Sequence, residues 1–155
     1  MGATVKLEGF KELEQELAKL GRHTTRRASA RRALRKAAQP MADLAQSLAP
    51  RGETGTLAPS VSIGTRLSKR QQGLHRRMFR NDRAAVEMFV GAGPLASAHT
   101  QEFGTIHHAP QSFMRPAFDQ DKMAMLDRLK AEIWADISKS IARAERRAAR
   151  LAARS

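Results

Sequence analysis

From Phe118 to Leu151, apolar residues return at helical spacing: Phe118, Met125 or Leu126, Leu129, Ile133, Ile137, Ile141, Ala144, Ala148 and Leu151. A stripe of that length requires one long helix, beginning near Pro116, and the rest of the chain must cover its apolar side. The stripe is strong to Ile141 and then thins to alanine. A domain over residues 1–142 is therefore expected, with residues 143–155 as a basic helical C-terminal extension that projects from the core.

A second helical pattern starts after Thr24 or Thr25 and runs to about Leu48, with Leu34, Ala37 or Ala38, Met41, Leu44 or Ala45, and Leu48 as its stripe. Pro40 falls inside it, and a proline there removes one backbone hydrogen bond, so a kink or split is predicted. Arg27/Arg31, Arg31/Arg35 and Arg32/Lys36 are like-charge pairs at four-residue spacing, each mildly destabilising alone. Such a face calls for anions or acidic side chains opposite it. Upstream, Val5 and Leu7 alternate with Lys6 and Glu8 as a short strand, and Phe10, Leu13, Leu17 and Leu20 mark a short amphipathic helix. Ser60 to Leu67 and Ala84 to Val90 are the remaining strand candidates. Ala96 to Phe103 is open between a short helix and a third strand. The sum is an α+β domain: a small antiparallel sheet packed against two or three helices, with a long C-terminal helix.

Three short motifs punctuate this plan. Thr54-Gly55-Thr56-Leu57 and Glu102-Phe103-Gly104-Thr105 each set a glycine, which permits backbone angles other residues avoid, beside threonines that bond locally in turns. Phe113-Met114-Arg115-Pro116-Ala117-Phe118 reads as a loop docking Phe113 before a helix, because proline loses no needed donor in a first turn. In this order, the set resembles the tail-completion proteins of long-tailed bacteriophages. That family joins an apolar N-terminal strand and two helices to T-G-x-L, then E-F-G-T, then P-F-x-R-P-A-F. Here the usual proline of the last motif is displaced to Pro110, and the resemblance runs from about Val5 to Ile141. It also favours a short helical or turn segment, ending in the second motif, over a strand at Ala96 to Phe103.

The net charge of +13 is carried by three blocks: Arg22 to Ala42, Arg66 to Arg83 and Lys139 to Ser155. Either these face nucleic acid or an acidic partner, or an arginine- and alanine-rich composition places cations wherever solvent accepts them. Ser68 to Asp82 reads as an extended basic loop, functional or disordered at that length. Met78 and Phe79 sit in it without an evident core to join, so this loop is expected to order against a partner or a neighbouring subunit.

Little in the chain suggests chemistry. It has no cysteine, which excludes disulfides and thiolate metal sites. His99, His107 and His108 lack a ligand spacing, serines lack the G-x-S-x-G setting, and Gly91-Ala92-Gly93 leads into Pro94 rather than a phosphate-binding Lys-Ser/Thr. No cofactor, metal or catalytic role is expected. No apolar run approaches the ~20 residues that span a bilayer, the N-terminus is too polar for a secretion signal, and Lys6 spoils a myristoylation motif. With no tyrosine and one tryptophan, Trp134, any DNA contact would be through phosphates, salt-sensitive and sequence-blind.

The resemblance implies a structural virion protein that completes the tail and joins it to the head. It would act as a homo-oligomeric ring, a hexamer, between the tail terminator or tail tube protein and the head connector protein, with non-specific contact to DNA in the channel. It would be made in the host cytoplasm and end at the head–tail junction of a phage or phage-derived particle. Thr54, Gly55, Thr56, Leu57, Glu102, Phe103, Gly104, Thr105, Phe113, Arg115, Pro116 and Phe118 are the expected structural motif. Arg70, Arg76, Arg77, Met78 and Phe79 are the expected partner contacts. Arg146, Arg147 and Arg150 are expected to face DNA or an acidic partner. The alternative is a small sequence-nonspecific DNA-binding protein using its basic helices directly.

Overall fold

In a computed structural model, which describes residues 15, 23–81 and 86–154, the two long helical patterns form the frame of the molecule. The first is α1, His23–Leu48. It runs unbroken through Pro40, where a kink or split was expected. The ring takes away the donor that the Lys36 carbonyl would have used. In the same turn, Arg128 donates to the Ala37 carbonyl from both Nε (3.1 Å) and Nη2 (3.0 Å). That side chain, itself paired with Asp121, supplies donors from outside the helix at the turn the proline weakens.

The buried side of α1 is made of the alanines and Met41 of the predicted stripe, joined by Ala33 and Ala42, and not of its leucines. Ala33, Ala37, Ala38, Met41, Ala42 and Ala45 are buried, with Ala49 just beyond the helix, while Leu34 and Leu44 are half-buried and Leu48 is exposed. Small side chains along one seam let a second backbone approach closely. That second helix comes from the other end of the chain.

Five further elements follow. They are α2 (Leu57–Ser60), β1 (Ser62–Gly64), α3 (Lys69–Met78), β2 (Phe89–Gly91) and α4 (Ala96–Phe103). The chain then enters α5, Met114–Ala152. The strands pair antiparallel, Ser62 with Gly91, Ile63 with Val90 and Gly64 with Phe89. Such a two-stranded ribbon is marginal alone. Here Ile63 and Val90 pack against a core of Ala42, Ala45, Ala49, Leu57, Val61, Phe113 and Ala117. Both strands are shorter than their sequence patterns, because Ser60 closes α2 and only Phe89–Gly91 pairs from the second run. Residues 84 and 85 of that run, the strand at Val5 to Glu8 and the helix at Phe10 to Leu20 (Gln15, which is helical, excepted) lie outside the described residues.

α1 and α5 run antiparallel, since successive contacts pair later residues of one with earlier residues of the other. Ser29 Oγ donates to Asp136 at 2.5 Å, Arg32 to the same carboxylate at 3.0 Å, and Lys36 to Glu132 at 2.8–2.9 Å. The acidic groups expected opposite the basic face of α1 are therefore supplied within the chain, at least for Arg32 and Lys36. The Ser29 hydrogen bond, with help from Arg32 and Lys139 and against partial burial, holds the Asp136 carboxyl below its ordinary range.

Of the stretch from Ser68 to Asp82, the described residues 68–81 differ most from expectation. Instead of an extended loop they contain the ten-residue helix α3. Its start is a capping box: the Ser68 hydroxyl accepts from the Gln71 N–H, and the Gln71 side chain accepts from the Ser68 N–H. The Ser-x-x-Gln spacing was legible in the chain but overshadowed by its charge.

Candidate functional site

An α-helix leaves its first four N–H groups without internal partners, and at the start of α5, with Pro116 among them, three remain to be satisfied. The second and third motifs together solve this. Glu102, the next-to-last residue of α4, is buried at 9 % exposure and turns its carboxylate onto the start of α5. Oε2 accepts from the N–H of Phe113 at 2.9 Å and of Met114 at 3.0 Å, and Oε1 accepts from the N–H of Arg115 at 3.1 Å. Pro116 follows and has no N–H to satisfy. The helix dipole adds to the attraction for a carboxylate placed there.

The surrounding loop holds this clamp in register. Gly104 adopts φ +75° and ψ −178°, a region essentially reserved for glycine. A Cβ there would come within 2.9 Å of the His108 carbonyl oxygen and of Pro110. Thr105 and His108 form a one-residue bridge, with the Thr105 N–H 2.8 Å from the His108 carbonyl. Ser112 Oγ donates to the Glu102 carbonyl (2.8 Å) and the Gln111 N–H to the Gln101 carbonyl (2.8 Å), fastening the return of the loop to α4.

Phe113 is the anchor the sequence indicated, fully buried in the core with Ala117 one turn later. The other two phenylalanines are not anchors. Phe118 is 50 % exposed, with Lys122 Nζ 5.6 Å over its ring. Phe103 is 59 % exposed and lies between His99 (4.9 Å) and the Arg115 guanidinium (5.9 Å). Three residues on, Ile106 stands 94 % exposed. The clamp thus buries a charge, and two large apolar side chains stand exposed beside it.

The first motif works separately. Gly55 takes φ +59° in a turn closed by its N–H on the Gly52 carbonyl (3.1 Å), and the Thr54 and Thr56 hydroxyls share a 3.0 Å hydrogen bond. The turn delivers Leu57 into the core. Nothing brings it to the clamp except the shared core.

The expected partner residues sit on α3 and just beyond it. Arg70, Arg76, Arg77, Met78 and Phe79 are all exposed, Met78 at 77 %. His75 packs on Phe79 and edge-on to Phe89, and its Nε2 lies 3.3 Å from Glu87, which ties α3 to the approach to β2. Arg146, Arg147 and Arg150 are exposed on the last turns of α5, far along the chain from both other groups.

The family model that matches the chain is HK97-gp10-like, described as "Bacteriophage HK97-gp10, putative tail-component", over residues 11–104. That span is more than half of the 155 residues. The chain belongs to this family. No curated protein and no solved structure matches it. This HK97-gp10-like chain carries its first motif and Glu102 to Gly104 inside the matched span, while Phe113 to Phe118 follow it. The Glu102 clamp is thus a bond between the end of the matched span and the helix after it. As a bacteriophage tail component, it is a virion protein, and no helix among its described residues is long and apolar enough to cross a membrane.

Proposed function

We propose that this tail component is a ring subunit at the neck of the particle, completing the tail and joining it to the head. Family membership supplies the tail. The observation that carries the finer reading is the clamp, beside which Phe103 and Ile106 stand exposed. Two large apolar side chains exposed three residues apart point to an interaction surface. In a ring each subunit meets its neighbour through two different faces, and this tip is one of them. α3, with Arg70, Arg76, Arg77, Met78 and Phe79, is the contact to the tail terminator, the tube or the head connector. The ring is a hexamer, assembled in the host cytoplasm, and its work is mechanical rather than catalytic.

A role as a free DNA-binding protein using the basic face of α1 fits less well. Arg32 and Lys36 of α1 are engaged by Asp136 and Glu132. The test is a particle lacking this gene product: filled heads and separate tails should accumulate, and a chain carrying Phe103→Ser and Ile106→Ser should fail to rescue joining while remaining folded. Normally joined particles in the absence of the protein would overturn the proposal.

A further inference from the structure

Beyond Lys139 the α5 helix leaves the core, and every residue from Arg143 to Arg154 is exposed. At about 100° per residue, Lys139, Arg143, Arg146, Arg147 and Arg150 all fall within an arc of about 100°. The sole acidic residue of this stretch, Glu145, points to the opposite side of the helix, as do Ile141 and Trp134 further back. Among the described residues, no ion pair engages any of these four arginines. Cations there also suit the negative end of the helix dipole. Five cations are thus gathered on one ridge, its arginines outside any ion pair, in contrast to Arg32 and Lys36 on α1.

We infer that this ridge binds the phosphate backbone of duplex DNA. Its length from Lys139 to Arg150 is about 16 Å at 1.5 Å per residue. About five phosphates of one strand occupy the same axial distance, so one cation meets each. The chemistry of the flanks separates DNA from an acidic protein. Protein interfaces concentrate aromatic and large apolar anchors at their centre, whereas the positions beside this ridge are chiefly small, Ser140, Ala142, Ala144 and Ala149, with Leu151 at its far end as the one large apolar side chain. Nothing on the ridge reads a base edge, so the contact is independent of sequence. The inference does not depend on the neck proposal, because it concerns the purified chain and a duplex.

The experiment is fluorescence anisotropy of the full chain with a labelled 30-base-pair duplex, titrated from 50 to 300 mM NaCl. With four to five phosphates neutralised, log K should fall against log salt with a slope of about −4, equally for two unrelated sequences. The R143Q/R146Q/R147Q/R150Q variant, which keeps good helix formers, should flatten the slope by about 3 and weaken binding at least tenfold at 100 mM salt. The corresponding Arg→Lys variant should retain the slope. An α3 variant, K69Q/R70Q/R76Q/R77Q, should change it by less than about 1. No duplex binding at 50 mM salt, an unchanged slope in the α5 variant, or the loss appearing in the α3 variant instead would each overturn the inference. Displacement of the duplex by poly-glutamate as effectively as by unlabelled DNA would also overturn it and assign the ridge to an acidic protein.

Discussion

Replacing Glu102 by alanine should be among the most damaging single changes to this chain. The carboxylate accepts three backbone N–H groups, of which the Phe113 N–H is buried. A hydrogen bond to a charged acceptor contributes about 1.5–3 kcal/mol, and a stranded buried donor costs about 1–3 kcal/mol. Loss of a helix cap alone costs about 0.5–2 kcal/mol. These terms overlap, and water can reach the more exposed Arg115 N–H, so about 3–4 kcal/mol is a reasonable total. For a domain of this size, each kcal/mol lowers Tm by about 2–4 °C, giving a drop of roughly 10 °C. Glu102→Gln keeps the shape but turns an amide NH2 toward backbone donors and removes the charge, so it should lose about half as much. Glu132→Ala, which removes only the exposed Lys36 pair, should cost less than about 1 kcal/mol. Thermal melts give the ranking, and hydrogen exchange at Phe113, Met114 and Arg115 gives the location. If Glu102→Ala melts within about 2 °C of the parent, or those three amides keep their protection, the clamp does not hold the helix start.

Other outcomes follow from the same geometry. Gly104→Ala combines a forbidden φ with 2.9 Å contacts on backbone and should cost about 3 kcal/mol or more. Gly55→Ala meets only the φ penalty, with open space around it, and should cost about 1–2 kcal/mol, as denaturant melts would show. Phe113→Ala should lose about 3–5 kcal/mol, while Phe118→Ala should lose under about 1 kcal/mol; equal losses would contradict the assignment of the anchor. Asp136 has a folded pKa below its ordinary 3.8. Its stabilisation is therefore complete above that value and drains away as pH falls through the folded pKa. Asp136→Asn should flatten the acid limb of a stability–pH profile below about pH 4, and an unaltered limb would show that the Ser29 and Arg32 contacts contribute nothing.

The sequence carried the frame well and the site only in pieces. Both long helices were readable because their apolar positions repeat over many turns, so an error at one residue does not alter the period. The α1 stripe held at Ala37, Ala38, Met41 and Ala45 and failed at Leu34, Leu44 and Leu48, because close approach of two backbones favours small side chains. Pro40 was expected to kink or split α1; the helix continues through it, and the Arg128 side chain that bonds the same turn lies 91 positions from its acceptor, Ala37. No local pattern reveals that. The strands came out shorter since a ribbon of two pairs only where both backbones meet. α3 was hidden for a different reason: its cap is legible, but it buries no residue, so it lacks an apolar stripe to announce it.

The clamp shows the limit most clearly. Glycine and proline marked where the backbone turns, and Phe113 was recognisable as an anchor. What joins the two motifs is a contact from residue 102 to residues 113–115, fixed by how the intervening loop folds back. One trace of it was present all along. A helix with proline at its third position still has three donors to satisfy, and a carboxylate is the one side chain that can take them together. The outward placement of Phe103 could not be read, because an aromatic residue beside a glycine turn suits a core equally well.

Whether this phage tail component forms the ring joining tail to head is decided by a cryo-EM reconstruction of the particle focused on the head–tail junction. A closed ring of this chain is expected there, six-fold, with the Phe103–Ile106 tip at the contact between neighbouring subunits and the arginine ridge of α5 facing the DNA channel. Density for the chain elsewhere along the tail, or its absence from purified intact particles, would contradict that role.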